Sequence, residues 1–188
     1  MTSRVMLISP GVTAALREAR FDDGRPLDEA ALRAARAAAG ALPAAQAVWC
    51  SPTVRCEQTA RALGLAAVPV PALAGLDAGR WRGATLAEVT AAEPEALAAW
   101  LADPGAAPHG GESVRALCDR VEEWLATAAD TDGRTLAVVE PEVVRAAVVR
   151  TLGAADTAFW RTDVTPLSAV EFTGRAGRRN VKVGRPLA

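Results

Sequence analysis

Histidine is almost absent from this sequence of 188 residues: His109 is the only one. One imidazole cannot build a metal site from several histidines, nor run a mechanism that needs two histidines in one chain. Lysine is as scarce, because Lys182 is the only one beside 20 arginines. Together with the many alanines, this preference for arginine indicates a GC-rich genome more than a function. The three cysteines, Cys50, Cys56 and Cys118, form no Cys-x-x-Cys pair, so neither a disulfide framework nor a zinc site is expected.

Long apolar runs and a strong charge of either sign are also missing. No apolar stretch approaches the ~20 residues of a membrane-spanning helix. The first nine residues are too short and strand-like for a signal peptide, so a cytoplasmic protein without a membrane partner is the default expectation. A net charge of −1 argues against nucleic acid as the main partner. A 51% hydrophobic chain of this length suits one domain over residues 1–188.

Short apolar segments alternate with helical patterns along the chain. Strands are predicted near residues 5–8, 47–50 and 135–139, and an antiparallel pair near 168–172 and 180–183 closes the fold. Helices are expected from a cap at Asp28 to about Leu42, from Ser51-Pro52 to about Leu63, in two pieces broken at Pro94 within 86–102, over 111–129, and from Pro141 to about Leu152. This order predicts an α/β three-layer sandwich, a mostly parallel sheet with helices on both faces.

The loops that follow the parallel strands are where such a sheet binds ligands. They are residues 9–11, 50–51 and 140–142, and we expect them to converge on one crevice. Residues 64–84 hold four glycines and two prolines. They are predicted to form a long ordered loop, which in a compact domain usually covers a site.

Several motifs stand in a fixed order along the chain: Ser51-Pro-Thr-Val-Arg55, Leu76-Asp-Ala-Gly79-Arg-Trp81-Arg-Gly83, Gly110-Gly-Glu-Ser113, Val138-Val139 before a helix with Arg145, and Phe159-Trp-Arg161 through Phe172. In this order and spacing the chain resembles the histidine phosphatase superfamily, the phosphoglycerate mutase-like proteins, over nearly its whole length. The resemblance implies that family's fold. It also makes Arg55 the counterpart of the family's phosphate-binding arginine.

The catalytic positions of the family are replaced. Its Arg-His-Gly, whose histidine takes the phosphoryl group, matches Ser9-Pro10-Gly11 here, and Thr13 matches the residue two places further on. Its second histidine falls in the stretch Val139-Glu140-Pro141-Glu142. The usual general acid matches Gly75, with Asp77 close by. Of the residues that bind phosphate in this family, Arg55 is the only one that the resemblance finds conserved in type here.

These replacements argue against phosphohistidine chemistry. Nucleophilic phosphoryl transfer needs an imidazole nitrogen with a free lone pair, and a proline offers neither that nor an N–H donor. Glu140 and Glu142 add negative charge, and at ~4 Å each charge pair with a phosphoryl dianion matters by roughly 4 kcal/mol at an effective dielectric constant near 20. One arginine would not offset this repulsion.

The candidate catalytic residues are Glu140, Glu142, Asp77 and His109, and each has a structural alternative. The two glutamates could transfer protons, or could simply favour a helix N-terminus through the helix dipole. Asp77 could replace the missing general acid, or bond backbone in its glycine-rich loop. His109 could be a displaced acid or base at the mouth of the crevice, although a lone loop histidine is usually exposed and idle.

The candidate ligand-binding residues also allow two interpretations. Arg55 could bind an anion, or pair with Glu140 or Glu142 as a buried ion pair. Trp81 could line the crevice, or join the core with the other tryptophans. Pro10 and Pro141 fit structural roles, in a turn and at the first position of a helix. The full set is Ser9, Pro10, Gly11, Thr13, Arg55, Trp81, Glu112, Ser113 and Pro141.

Three hypotheses of function follow. The first is a non-catalytic or repurposed member of the fold that keeps the crevice for a small molecule or a protein partner. The second is an enzyme of another class, in which Glu140, Glu142 or Asp77 moves protons while Arg55 polarises a carbonyl or holds a carboxylate. The third, residual phosphatase activity, is the least favoured. None of them calls for a cofactor or a metal ion.

Overall fold

The computed structural model describes residues 3–130, 133–175 and 178–187, in which strands and helices alternate. The strands are β1 Ser3–Ile8, β2 Ala47–Cys50, β3 Val68–Pro69, β4 Arg134–Val138, β5 Ser168–Arg175 and β6 Arg178–Pro186. The α-helices are α1 Ala14–Arg17, α2 Glu29–Ala37, α3 Val54–Ala62, α4 Leu86–Ala92, α5 Pro94–Ala102, α6 Val114–Asp130 and α7 Pro141–Leu152. Short 3-10 helices lie at Pro71–Leu73, Gly79–Trp81 and Asp156–Arg161.

The six strands form one sheet in the order β3-β2-β4-β1-β5-β6. Strands β3, β2, β4 and β1 run parallel, with Leu7 opposite Ala137 and Val48 opposite Leu136. Strand β5 is antiparallel to β1, and β6 is antiparallel to β5. The predicted parallel sheet with a closing antiparallel pair is therefore confirmed. The carboxyl ends of β1, β2 and β4 lie side by side at one edge.

Both faces of the sheet are covered by helices, because the central strands are apolar on each side. Along β1, Val5 and Leu7 belong to one core while Met6 and Ile8 belong to the other. The first core packs against α6 and α7, and the second against α3. This is the three-layer α/β arrangement that the sequence predicts. In the described part of the chain, no helix has the length and apolar character needed to cross a bilayer.

The ends of two helices differ from their predictions. Helix α2 begins after the Asp28 cap as expected, but it ends at Ala37 rather than near Leu42, and the left-handed Gly40 (φ 86°) turns the chain away. Helix α3 is capped by Thr53, not Ser51, since the Thr53 hydroxyl accepts the N–H of Cys56. The Ser51 hydroxyl instead bonds distant backbone. The break at Pro94 and the span of α7 are as predicted.

The core predicts where a substitution will cost stability. Phe172 on β5 is 1% exposed and lies opposite Val5. We expect Phe172→Ala to lower the free energy of unfolding by about 3–5 kcal/mol, because the ring leaves a cavity that the packed sheet cannot close. Leu152 at the end of α7 is 66% exposed, so Leu152→Ala should change it by about 0.5 kcal/mol or less. Urea unfolding measures both, and equal losses would contradict this description of the core.

Candidate functional site

A buried ion pair joins the ends of two parallel strands. Arg55, in the first turn of α3 after β2, donates from Nε to Glu140 Oε1 at 2.9 Å, and its Nη2 contacts Glu140 Oε2. Glu140 follows β4 and precedes α7. Arg55 is 7% exposed and Glu140 is 1% exposed. Of the two sequence interpretations of Arg55, the structure realises the buried pair.

Hydroxyl groups on the β2–α3 segment hold the carboxylate of Glu140 in place. The Thr53 hydroxyl donates to Glu140 Oε1 at 2.6 Å. The Ser51 hydroxyl accepts the backbone N–H of Glu140 at 3.2 Å and donates to the carbonyl of Leu73 at 2.5 Å. Pro141 takes the first position of α7, where a missing N–H costs nothing because that group has no partner within the helix. Strand end, cap and helix start therefore fix one geometry for the pair.

The pair settles the charge of the guanidinium. Burial alone would lower the pKa of Arg55, but the charge and hydrogen bond of Glu140 outweigh burial and raise this pKa above its usual range. Arg55 thus stays protonated, and its positive charge is already matched by a carboxylate within the protein. Little of that charge is left to attract an anion from solution.

A crevice of about 380 Å³ opens beside the pair at this edge of the sheet. Its walls come from three parts of the chain: the loop before α2, the start of α3 with the segment that follows β3, and the start of α7. Four carboxylates and one guanidinium face it, so its lining is acidic. The lining residues are Asp22, Gly24, Pro52, Thr53, Val54, Ala74, Gly75, Asp77, Arg82, Glu140 and Glu142.

Glu142 forms the half-buried acidic wall of this crevice. Its Oε1 accepts the backbone N–H of Leu76 at 3.2 Å. A Cβ added to Gly75 would lie 2.7 Å from that oxygen and 3.1 Å from Glu140 Cγ, so the glycine leaves the space that the glutamates occupy. Burial, followed by the charge of Glu140, raises the pKa of Glu142 to about 7, against the opposing effect of Arg55. Glu142 can therefore exchange a proton near neutral pH.

The loop after β1 is drawn toward β5, so the expected convergence of all three loops is only partly realised. The Ser9 hydroxyl donates to the carbonyl of Thr165 at 2.6 Å, and buried Pro10 accepts the N–H of Leu167. Gly11 donates its N–H to Thr59, one turn of helix after Arg55. Thr13 caps α1. Among the described residues that line the crevice, none comes from this loop, because these bonds hold it beside the sheet; its part in binding stays a prediction.

The Gly-Gly-Glu-Ser motif fastens the start of α6 to the crevice wall. Glu112 pairs with Arg120 at 2.7 Å, and Arg120 Nη1 donates to the carbonyls of Ala72 and Ala74. The Ser113 hydroxyl accepts the N–H of Ala116 and caps the helix. Glu112, through Arg120, thus supports the backbone around residue 75, whereas Ser113 stabilises the start of α6; a direct role of either in ligand binding stays a prediction.

His109 corrects the sequence expectation of an exposed, idle loop side chain. It is 2% exposed, with its ring centroid 5.0 Å from that of Trp81 and 6.0 Å from that of Trp100. Trp81 is 2% exposed and belongs to the same aromatic cluster, which packs against α4 and α5. Neither ring is among the residues lining the crevice in the described chain. Distant aromatic contacts, which no local pattern reveals, bury both.

Some functional positions escape sequence reasoning. Thr53 bonds Glu140, and Asp22 and Arg82 line the crevice, yet none belongs to the candidate set. The signal that could have identified Thr53 is its hydroxyl two residues before Arg55, at a position suited to cap the start of α3. Asp77 does line the crevice, and its Oδ1 also accepts the N–H of Gly79. No group of three or more His, Cys, Asp or Glu side chains within the described ranges is arranged to hold a metal ion.

The cysteines are small side chains in the core. Cys50, Cys56 and Cys118 are free and buried. Burial raises the pKa of each thiol, most strongly for Cys56. A thiolate nucleophile is therefore not available in this site at neutral pH.

Comparisons with known proteins agree with this fold. Residues 11–184 match the family model for the histidine phosphatase superfamily (branch 1). The chain is 37% identical over 128 residues to a Mycobacterium tuberculosis protein named "Bifunctional protein Rv2228c". The matched region covers 63% of this chain and 35% of that protein. The chain thus spans about a third of the length of the curated relatives it matches.

Two solved structures share the fold over almost their whole length. The alpha-ribazole phosphatase from Shigella flexneri superposes with a TM-score of 0.85 at 22% identity, covering 98% of this chain and 97% of that chain. The mycobacterial glucosyl-3-phosphoglycerate phosphatase in complex with VO3 gives a TM-score of 0.83 at 23% identity, covering 96% and 97%. At these identities the likeness concerns the fold alone.

The ion pair predicts a non-additive effect on stability. Arg55→Leu leaves the Glu140 carboxylate buried without its cation, and we expect a loss of about 3–5 kcal/mol in the free energy of unfolding. The double variant Arg55→Leu, Glu140→Leu should recover most of that loss, because two apolar side chains replace two charges. Urea unfolding of both single variants and the double variant measures the coupling. Additive losses would show that the two side chains act independently.

Proposed function

This chain belongs to the histidine phosphatase superfamily, and we propose that it is a member which binds a ligand in its crevice and has lost phosphohistidine chemistry. In this proposal residues 1–188 form one domain of a cytoplasmic protein. Its partner is a small molecule or a segment of another protein, not nucleic acid or a membrane. Structural neighbours of this chain are named phosphatases, and these names describe those proteins. We propose a different function for this chain because of the contacts in its own site.

The observation that carries the proposal is the Glu140 carboxylate seated on Arg55. Phosphate binding needs positive charge and donors directed at the phosphoryl oxygens. Here Arg55 Nε and Nη2 and the Thr53 hydroxyl are already directed at Glu140, an anion within the protein. A phosphate would have to displace a buried, hydrogen-bonded carboxylate, or bind beside it without a free arginine from that pair.

The positions of the family's two histidines support the same conclusion. Pro10 and Pro141 stand in the matching motifs, and His109 lies in the aromatic cluster away from them. No imidazole is then available in the crevice to take a phosphoryl group. The acidic lining favours a ligand that carries positive charge or several N–H and O–H donors.

The proposal predicts that Glu140 is what keeps phosphate out. The wild-type protein should release no phosphate from an aryl phosphate, and millimolar orthophosphate or orthovanadate should not shift its melting temperature. Glu140→Ala leaves Arg55, Thr53 and the start of α7 without their anion. Orthophosphate should therefore raise the melting temperature of this variant by a few degrees, since a ligand that binds only the folded state stabilises it.

The double variant Arg55→Ala, Glu140→Ala is the matched control. It lacks both the Glu140 carboxylate and the Arg55 guanidinium, so its melting temperature should not respond to phosphate. Steady phosphate release by the wild type that Arg55→Ala abolishes would overturn the proposal. So would a wild-type melting temperature that rises with orthophosphate as much as that of Glu140→Ala.

A second candidate is an enzyme of another class with Glu142 as its proton-transfer group, and Asp77 and Glu140 beside it. One observation favours it: Glu142 faces the crevice with its pKa raised to about 7, which suits a general base at neutral pH. The backbone N–H of Leu76 orients Oε1 of this carboxylate. In this candidate Arg55 would act on the substrate only through the charge it shares with Glu140.

The raised pKa of Glu142 has a consequence for stability that tests this candidate. The protonated acid is favoured in the fold, so its contribution is complete below the ordinary pKa of about 4.5 and is lost as pH rises through about 7. Relative to Glu142→Gln, the wild type should lose on the order of 1–3 kcal/mol of unfolding free energy between these limits. Urea unfolding across that range measures the difference. If the unfolding free energies of the wild type and Glu142→Gln depended on pH in the same way, Glu142 would not be the general base of this second candidate function.

A further inference from the structure

The buried imidazole of His109 has a single protonation state that fits its contacts. Its Nδ1 accepts the backbone N–H of Gly111 at 3.0 Å, so that nitrogen carries the lone pair and the proton sits on Nε2. Nε2 makes no hydrogen bond within the described chain. A second proton on Nδ1 would turn an acceptor into a donor that faces another donor. The added charge would also be buried, which opposes protonation.

This imidazole lies at the junction of two backbone segments that we call the clamp, residues 77–80 and 109–112. The carbonyl of His109 accepts the N–H of Arg80 at 3.0 Å, and the carbonyl of Asp77 accepts the N–H of Glu112 at 2.8 Å. A Cβ on Gly79 would lie 2.2 Å from the His109 carbonyl oxygen. The two backbones thus touch directly, and a small shift of one must move the other.

The clamp carries one wall of the crevice. Asp77 lies within it, and Gly75 and Arg82 lie just outside it on the same segment; all three line the crevice. The opposite wall belongs to the start of α7. Loosening the clamp would therefore let the segment with Asp77 and Arg82 shift, while the hydrogen bond from Leu76 N–H to Glu142 still ties the beginning of that segment to α7.

We propose that His109 is a pH-sensitive latch: the neutral imidazole closes the clamp, and its protonation opens the clamp and widens access to the crevice. The inference holds for any ligand of the crevice and does not depend on whether the chain is catalytic. Its geometry is the Nδ1 acceptor, the buried Nε2 and the two backbone contacts on either side.

The charged groups around the latch do not cancel this effect. Burial lowers the pKa of His109, and Arg80 lowers it further, while Asp77 acts in the opposite direction. From the α4–α5 junction, Glu93 accepts from Arg80 and from Trp81 Nε1. From the start of α6, Glu112 is paired with Arg120. With the folded pKa below the ordinary value, the latch is closed above about pH 6.5 and weakens as pH falls.

Hydrogen exchange tests the latch at the amides that form it. Between about pH 7.5 and pH 5, the protection factors of Arg80, Gly111 and Glu112 should fall roughly threefold to tenfold in the wild type. Amides of β1 and β4 should keep theirs, which separates local opening from unfolding. Because the chain has one histidine, the ring protons of His109 report its titration in the same sample.

Two variants make the outcome specific. His109→Asn keeps an acceptor near the place of Nδ1 but does not titrate, so its clamp amides should stay protected at both pH values. His109→Phe fills the space without an acceptor, so these amides should be weakly protected at both. Glu142→Gln removes the other group expected to titrate near neutrality, so the loss of the pH-dependent fall in this variant would assign it to Glu142 and overturn the proposal. A wild-type clamp whose protection ignores pH, or the same fall in His109→Asn, would overturn the proposal.

Discussion

The site depends on one constraint: Arg55 and Glu140 are buried together and must satisfy each other. A carboxylate that is 1% exposed is tolerated only because a guanidinium and a hydroxyl meet it. That requirement fixes the approach of α3 to α7 and hence the edge of the sheet where the crevice opens. In the function we propose, these donors serve the internal carboxylate and are therefore not available to a phosphate from solution.

Gly75 shows how the rest of the site adapts to this pair. The family resemblance places the usual general acid of that family at this position, whereas this chain has two carboxylates at the start of α7. A Cβ at residue 75 would lie 2.7 Å from Glu142 Oε1, the movable end of that side chain, and 3.1 Å from Glu140 Cγ, so a larger residue there requires the glutamates to shift. Two neighbouring carboxylates repel each other when both are ionised, and Arg55 is hydrogen-bonded to Glu140. The outer one, Glu142, has the raised pKa.

The fold could be predicted from local patterns, and the site only in part. Strand β2 and helix α7 have the predicted bounds, because apolar runs and a proline at the first helical position are local signals. The partner of Arg55 stayed open in the sequence, since Glu140 and Glu142 lie two residues apart and face different surroundings. Thr53 was missed as a cap for a similar reason. Ser51 offers the same hydroxyl in sequence, but in the fold it bonds Leu73 and Glu140.

His109 is the clearest case in which tertiary contacts override a local pattern. Proline and glycine on either side of it indicate an exposed loop, yet a tryptophan 28 positions earlier buries the ring. Once buried, the imidazole is held by a single backbone N–H, and its environment favours the neutral form. The family's nucleophilic histidines must meet a phosphoryl group, whereas this one meets the backbone and aromatic rings. His109 therefore lies against the backbone next to the wall of the crevice, whereas the charged groups that line the crevice are four carboxylates and Arg82.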